Sequence, residues 1–293
     1  MMRFFILLVI VLLQGCSSLL FYPEKGLPFT PERAGLEFRD EYLTAADGTR
    51  LNAWWLPAKA GVAVKGTILY LHGNGGNMAM HLGGPWWLPE QGYQVLMLDY
   101  RGYGLSEGEP SLPALYEDID AAFTQLDNAA EVRGKPVFVL AQSLGGALAV
   151  HYLAERPQQA SKIDALIIDG TPASYRDVAQ YVLSTSWLTW LFQAPLSEFV
   201  PDSDSAIAAI PKLKGLPLLM YHSIDDAVVP VSNAISLYKA APAPRVLQLT
   251  RGPHVQTFND PTWRQVLLMF MSDPQGFKGL RRLAEVPNSE SPQ

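Results

Sequence analysis

Ser143 lies in a pattern that makes a serine hydroxyl available for chemistry. The residues before it, 137–141, form a short apolar run, and the residues after it, 147–154, have the composition of a helix. A serine at a sharp strand-to-helix turn, flanked by small residues, presents its oxygen as a nucleophile. Because a free serine hydroxyl is a poor nucleophile, the rest of the chain must supply a base, an acid and an oxyanion site.

His254 has the placement that a general base would need. It lies in a loop after the apolar run 246–250, and such a loop can reach over the strand ends where ligands bind in open α/β sheets. Histidines with less suitable placements are His72, His81, His151 and His222.

Two adjacent carboxylates, Asp225 and Asp226, follow the apolar run 218–222 and are candidates for the acid that orients the imidazole. A solvated pair of loop residues is the alternative interpretation. However, the order Ser, Asp, His, with each residue just past a strand, is the order that one α/β fold uses. Type, order and placement together make this a specific signal.

The glycine-rich stretch Leu71-His-Gly-Asn-Gly-Gly-Asn77 also follows an apolar run. Its glycines allow the backbone to bend and to expose amide hydrogens, as an oxyanion hole requires. A phosphate-binding loop is the competing interpretation, but the Lys-Ser/Thr that completes that motif is missing. We therefore expect the backbone amides of Asn74 and Leu144 to be the oxyanion donors.

The elements that must position these residues alternate along the chain. A hairpin is predicted over 37–45 and 51–56, with its turn at Asp47-Gly48, and helices are predicted over 115–126 and after Asp260. Short apolar runs bounded by turn residues are typical of strands buried on both faces of a mostly parallel sheet. These runs are 67–71, 95–99, 137–141, 165–169, 218–222 and 246–250. The pattern predicts one α/β domain of roughly 250 residues.

Three segments fall outside this alternation. Residues 172–201 are rich in aromatic side chains, and a small cap over the site is favoured there over a surface helix. Residues 16–35 contain several prolines and are predicted to be a tether. The polar residues 276–293 are predicted to be a mobile tail.

The first fifteen residues are predicted to be a signal peptide, with Arg3 before a short apolar core. The chain's single cysteine, Cys16, follows directly, and this arrangement resembles a bacterial lipobox. That resemblance implies cleavage before Cys16, lipid attachment to its sulfur and, with Ser17 next, retention in the outer membrane. An ordinary signal peptide and an uncleaved anchor are the alternatives. With one cysteine there is no intrachain disulfide.

The net charge of −6 and the absence of a basic stripe argue against a nucleic-acid partner. After the leader, no apolar run in the sequence approaches the roughly 20 residues of a membrane-spanning helix.

The chain as a whole resembles the α/β-hydrolase superfamily over residues 37–272. The resemblance is carried by the His-Gly-Asn-x-Gly-Asn loop and by a second motif, Asp-Tyr-Arg-Gly-Tyr-Gly-x-Ser-x-Gly, at 99–108. It implies a hydrolase domain at 36–275, with a mostly parallel sheet of about eight strands flanked by helices. It also implies Ser143 as nucleophile, His254 as base and Asp226 rather than Asp225 as acid. Ala141 departs from the pattern, which has glycine there.

The function that this resemblance implies is a serine hydrolase that acts on small carboxylic esters or thioesters through an acyl-enzyme. A peptidase or an acyltransferase is the alternative within the same fold. A non-catalytic envelope binding protein is a weaker alternative. No metal or organic cofactor is implied. The expected location is the bacterial cell envelope, on the periplasmic face of the outer membrane. The inner membrane is the alternative location.

Overall fold

The computed structural model describes residues 21–177, 180 and 202–279. Numbered along these residues, the strands are β1 (Tyr22–Pro23), β2 (Arg39–Thr44), β3 (Arg50–Leu56), β4 (Gly66–Leu71), β5 (Gly75–Gly76), β6 (Tyr93–Leu98), β7 (Val137–Gln142), β8 (Ala165–Asp169), β9 (Leu218–Ser223) and β10 (Arg245–Thr250). The helices are α1 (Ala114–Asn128), α2 (Leu144–Glu155), α3 (Pro157–Ala160), α4 (Ala206–Ala209), α5 (Ser232–Ala240) and α6 (Pro261–Ser272).

Eight of these strands form one sheet in the order β10-β9-β8-β7-β4-β6-β3-β2. The strands from β4 onwards pair in parallel, whereas β3 pairs antiparallel with both β2 and β6. The predicted fold class, hairpin and parallel strands are confirmed. Because these parallel strands run in the same direction, they all end at one edge of the sheet. The segments after β4, β7, β9 and β10 therefore lie together at that edge.

Alternate residues of each central strand face opposite cores, because successive side chains of a strand point to opposite faces. On β4, Leu69 and Leu71 join the core with α1 and α2, whereas Ile68 and Tyr70 join the core with α6. Every residue of β4, β6, β8 and β9 is buried, which explains why these strands read as continuous apolar runs. Asp260 caps α6 as predicted, since its side chain accepts a hydrogen bond from the amide of Thr262.

The structure describes residues 21–35 of the predicted tether and shows them packed. Residues 21–35 lie against the domain: Phe21 is buried, β1 pairs in parallel with β5, and a 3₁₀ turn forms over Pro31–Ala34. Two of the prolines that favour a linker, Pro23 and Pro31, lie in a strand and at the start of this turn, where a missing N–H is tolerated.

Other predictions fall partly or wholly outside the described residues. These are the signal peptide over 1–15, Cys16, most of the cap over 172–201 and all but the first residues of the tail over 276–293. At the start of that tail, the ring of Phe277 packs on Phe270. No helix within 21–177 or 202–279 has both the length and the apolar character to cross a membrane.

Candidate active site

Ser143 occupies a strained turn between β7 and α2. Its φ of 52° and ψ of −117° lie in a region that residues with a side chain rarely adopt, at a cost of about 1–3 kcal/mol. The backbone amide of Ser143 donates to the carbonyl oxygen of Asp169 at 2.8 Å, which ties the turn to the neighbouring strand. This geometry lifts the side chain out of the sheet edge, as in the elbow that exposes nucleophilic serines.

The small residues around the turn have different roles. A Cβ on Gly145 would overlap the carbonyl oxygens of Leu71 and His72, so α2 can pass β4 only with glycine at this position. Ala141 is fully buried in register between Leu71 and Ile168, and the turn forms with its methyl group in place. The departure from the glycine pattern is therefore accommodated.

The structure brings Ser143, His254 and Asp226 together in one hydrogen-bonded row. Nε2 of His254 lies 2.9 Å from Oγ of Ser143, and Nδ1 lies 2.6 Å from Oδ2 of Asp226. An ionised carboxylate only accepts hydrogen bonds, so Nδ1 carries the proton and Nε2 is left to accept from the serine hydroxyl. This is the tautomer that a general base needs.

Asp226 is held in its ionised form by its surroundings. Burial of the carboxyl opposes ionisation, but the hydrogen bond from His254 and those from the amides of Val229 and Val228 keep its pKa below the ordinary value. The amide bonds go to Oδ1 at 2.9 and 2.8 Å, which leaves Oδ2 for the imidazole. The carboxylate can therefore both orient His254 and stabilise its charged form.

The neighbouring carboxylate, Asp225, has a different environment. Its side chain is about half exposed, and it accepts from the amide of Gly252 at 3.2 Å and from Arg251 at 3.4 Å. It therefore links the two loops that carry Asp226 and His254, but it does not contact the imidazole.

The other histidines are engaged elsewhere. Ring nitrogens of His72, His81 and His222 each lie within hydrogen-bond distance of a backbone carbonyl oxygen. Burial, followed by the proximity of His72, lowers the pKa of His81 to about 4, so this ring is neutral at neutral pH. The ring of His151 stacks on Tyr116, as a residue packed beside the helix would.

The glycine-rich stretch runs directly past the serine. A Cβ placed on Gly73 would lie 3.4 Å from Cβ of Ser143, so this stretch, His72–Asn77, forms one wall of the site and is called the oxyanion loop below. Asn74 comes next in the chain, and Leu144 begins α2, so its amide is among the first-turn N–H groups with no partner within the helix. The arrangement fits the predicted donors, whose catalytic role stays a prediction.

A buried polar network under the site was missed by the sequence reasoning. Gln142 donates to the carboxylate of Asp169 at 2.8 Å and to the carbonyl oxygen of Val255 at 3.0 Å, and Thr257 donates to Asp169 at 2.9 Å. Val255 follows His254 and has a φ of 51°, which a β-branched residue rarely adopts. The network therefore fixes a strained His254 loop to the end of β7. A lone Gln and a lone Asp at strand ends carry no sequence signal for such a role.

The stability of the protein is expected to carry a pH signature of Asp169. Burial raises the pKa of this carboxyl from 3.8 to about 6, so between these values the folded state binds more protons than the unfolded state. The contribution of Asp169 to the free energy of unfolding therefore grows by roughly 2 kcal/mol as pH falls from about 6 to about 4. Denaturant unfolding of the wild type and of Asp169→Asn at about pH 4 and about pH 7 checks this. A stability difference between the two proteins that is the same at both pH values would contradict it.

Within residues 21–177 and 202–279, no group of His, Cys, Asp and Glu side chains is arranged to hold a metal ion.

The chain is similar to several known proteins. A family model described as serine aminopeptidase, S33, matches residues 62–205. The chain is 33% identical over 247 residues to the alpha/beta hydrolase domain-containing protein WAV2 of Arabidopsis thaliana, which covers 80% of this chain and 78% of the relative. It is also 33% identical over 221 residues to the uncharacterized protein YfhR of Escherichia coli K12, with 74% of each chain covered.

Among solved structures, the esterase Pf2001 of Pyrococcus furiosus superposes with a TM-score of 0.71 and 23% sequence identity, over 87% of this chain and 98% of that one. At this identity, the likeness concerns the fold. Together with the sequence relatives and the strand order, it leads to one conclusion. The chain belongs to the α/β-hydrolase superfamily.

Proposed function

We propose that this α/β hydrolase is a serine hydrolase that cleaves small carboxylic esters or thioesters through an acyl-enzyme intermediate. The observation that carries the proposal is the hydrogen-bonded row from Ser143 through His254 to Asp226, at 2.9 and 2.6 Å, with the serine on a strained turn. Nucleophile, base and orienting acid within hydrogen-bond reach are the signature of an activated serine.

The proposed steps use this geometry. Nε2 of His254 takes the proton of Ser143 as Oγ attacks the acyl carbon, and the carbonyl oxygen of the substrate becomes an oxyanion. The amides of Asn74 and Leu144 would donate to that oxyanion. His254 then gives its proton to the departing alcohol or thiol, which leaves Ser143 acylated. Water, deprotonated by His254, attacks the acyl group, and the acid is released with the proton returned to Ser143.

The leaving group separates this proposal from the peptidase alternative. The Pyrococcus furiosus neighbour is an esterase, whereas the matching family model is described as a serine aminopeptidase. The same side chains serve esterases, peptidases and acyltransferases, because specificity comes from the pocket. A series of p-nitrophenyl esters of graded acyl length, assayed beside an aminoacyl p-nitroanilide, tests the choice. Turnover of the anilide at a rate equal to or above that of the best ester would favour the peptidase.

Fluorophosphonate labelling tests whether the site is active at all. We expect the native protein to be labelled on Ser143 and the Ser143→Ala variant to stay unlabelled. Absence of label from native protein that is folded by circular dichroism would favour the non-catalytic binding protein.

The proposal includes a lipid anchor on Cys16 and a location on the periplasmic face of the outer membrane. Five residues separate Cys16 from Tyr22, and the six Cα-to-Cα steps between them span at most about 20 Å when fully extended. Tyr22 pairs with Gly75 of the oxyanion loop. A lipid on Cys16 would therefore hold this loop close to the bilayer, within reach of acyl substrates that partition there.

Replacing Cys16 with alanine is expected to move the protein from the membrane fraction to the aqueous fraction and to abolish metabolic labelling with palmitate. The reason is that acyl chains contribute about 0.8 kcal/mol per buried methylene, so their loss removes the membrane affinity. Ser18→Ala, two residues away, is the matched control. Palmitate labelling that survives in Cys16→Ala would contradict lipidation at this residue, and sucrose-gradient fractionation separates outer from inner membrane.

A further inference from the structure

The segment Tyr22–Gly26 lies between two loops at the edge of the site. On one side β1 pairs in parallel with β5 of the oxyanion loop, and the amide of Glu24 donates to the carbonyl oxygen of Gly76 at 2.9 Å. On the other side Glu24 accepts from the amide of Gly104, and the amide of Gly26 donates to Gly104, both at 2.9 Å. The segment therefore joins the oxyanion loop to the loop at 99–108.

Side chains of the oxyanion loop complete this junction. Oδ1 of Asn74 accepts from the amide of Tyr22 at 3.0 Å and from the hydroxyl of Tyr103 at 2.8 Å. Nδ2 of Asn77 donates to the carbonyl oxygens of Glu24 at 3.1 Å and Gly26 at 2.7 Å. Both asparagines of the glycine-rich motif are thus used to attach the loop to its neighbours.

The junction is built to be rigid. Tyr103 and Asn77 are fully buried, and the ring of Tyr103 packs edge-on against His72, the first residue of the oxyanion loop. Burial raises the pKa of Tyr103 well above its ordinary value, so the phenol keeps its proton and can donate to Asn74.

This rigidity matters because the loop itself is rich in glycine. Gly73, Gly75 and Gly76 surround Asn74, and glycine leaves a backbone free to adopt many conformations. An oxyanion donor is effective only when it is fixed in place before charge develops on the substrate. Contacts from outside the loop must therefore supply the order that its own residues lack.

We propose that Tyr103 and the Tyr22–Gly26 segment are positioning elements that hold the backbone amide of Asn74 in place for oxyanion stabilisation. This inference rests on the proposed serine hydrolase. The motif at 99–108 and the Tyr22–Gly26 segment then share a role in the chemical step, although neither contacts the reacting atoms.

The first test is Tyr103→Phe in the full-length protein, with Tyr42→Phe as control, since Tyr42 is about half exposed on β2. We expect Tyr103→Phe to lower kcat on a p-nitrophenyl ester by roughly 10-fold, with KM within about 2-fold of the wild type. Its affinity for a trifluoromethyl ketone, whose adduct carries an oxyanion, should fall by the same factor. Tyr42→Phe should leave all three quantities unchanged.

The second test removes the other donor to Asn74. Tyr22→Pro deletes the amide N–H, whereas Tyr22→Ala retains it and deletes only the exposed ring. We expect the proline variant to lose at least about 5-fold more kcat than the alanine variant, and the proline and Tyr103→Phe effects to be non-additive because both act on Asn74.

The outcomes separate this inference from the function on which it rests. If Ser143→Ala abolishes turnover but Tyr103→Phe and Tyr22→Pro keep wild-type kcat and trifluoromethyl ketone affinity, the inference is overturned and the serine hydrolase stands. If the affinity for the ketone and KM weaken by equal factors, the contacts serve general structure and the positioning role is also rejected. If Ser143→Ala retains turnover, the proposed function itself fails.

Discussion

Substitution of Ser143 by alanine is expected to lower kcat on an activated ester by a factor on the order of 10⁴ to 10⁶. The change removes the hydroxyl oxygen that lies 2.9 Å from Nε2 of His254 and that this nitrogen is placed to activate. It leaves the strained backbone in place, since alanine has the same difficulty as serine at a φ of 52°. The melting temperature should therefore change by no more than a few degrees. Steady-state kinetics and thermal unfolding of the purified variant check both statements.

Ser161→Ala is the matched control, because Ser161 is exposed just after α3 and its hydroxyl donates only to a backbone carbonyl oxygen of its own turn. It should retain wild-type kinetics. Full activity in Ser143→Ala would place the nucleophile elsewhere and would remove the basis of the proposed mechanism.

The second large effect is expected at Asp226. Replacement by asparagine removes the negative charge and the strict acceptor at Oδ2, so Nδ1 of His254 no longer has to carry the proton. The imidazole then populates the tautomer that cannot accept from Ser143, and kcat should fall by about 10⁴-fold. Kinetics on the same ester, with folding checked by circular dichroism, measure this effect.

Asp225→Asn is the sharpest control for Asp226→Asn, since the two residues are adjacent and only one contacts the imidazole. Asp225 accepts hydrogen bonds from the His254 loop, so its loss should cost less than about 10-fold. A reversal, with Asp225→Asn inactive and Asp226→Asn active, would contradict the geometry of the row.

The sequence predicted those parts of the fold that have a strong local pattern. Buried strands such as β4 and β8 are continuous apolar runs because both of their faces are covered. Ser143 and His254 were predictable because each follows such a run, and parallel strands bring their ends to one edge. The choice of Asp226 over Asp225 came from a family resemblance, and the hydrogen bonds of the two carboxylates agree with it.

Other features had no such pattern. β1 is only two residues long, contains a proline and pairs with glycines, so neither alternation nor composition distinguishes it from a linker. The network of Gln142, Asp169 and Thr257 depends on contacts between residues far apart in the chain. The strained backbone at Val255 also has no sequence signal. Valine ordinarily avoids a positive φ, and tertiary contacts alone can impose that conformation.

The most direct test of the account is mass spectrometry of the protein quenched during turnover of a p-nitrophenyl ester. We expect a mass increase equal to the acyl group less the hydrogen that it replaces, located on the peptide that contains Ser143. If deacylation is the slower step, a burst of p-nitrophenol equal to the enzyme concentration should accompany it. Turnover that proceeds with no acyl adduct under conditions where a burst is observed, or with the adduct on another residue, would contradict Ser143 as the nucleophile.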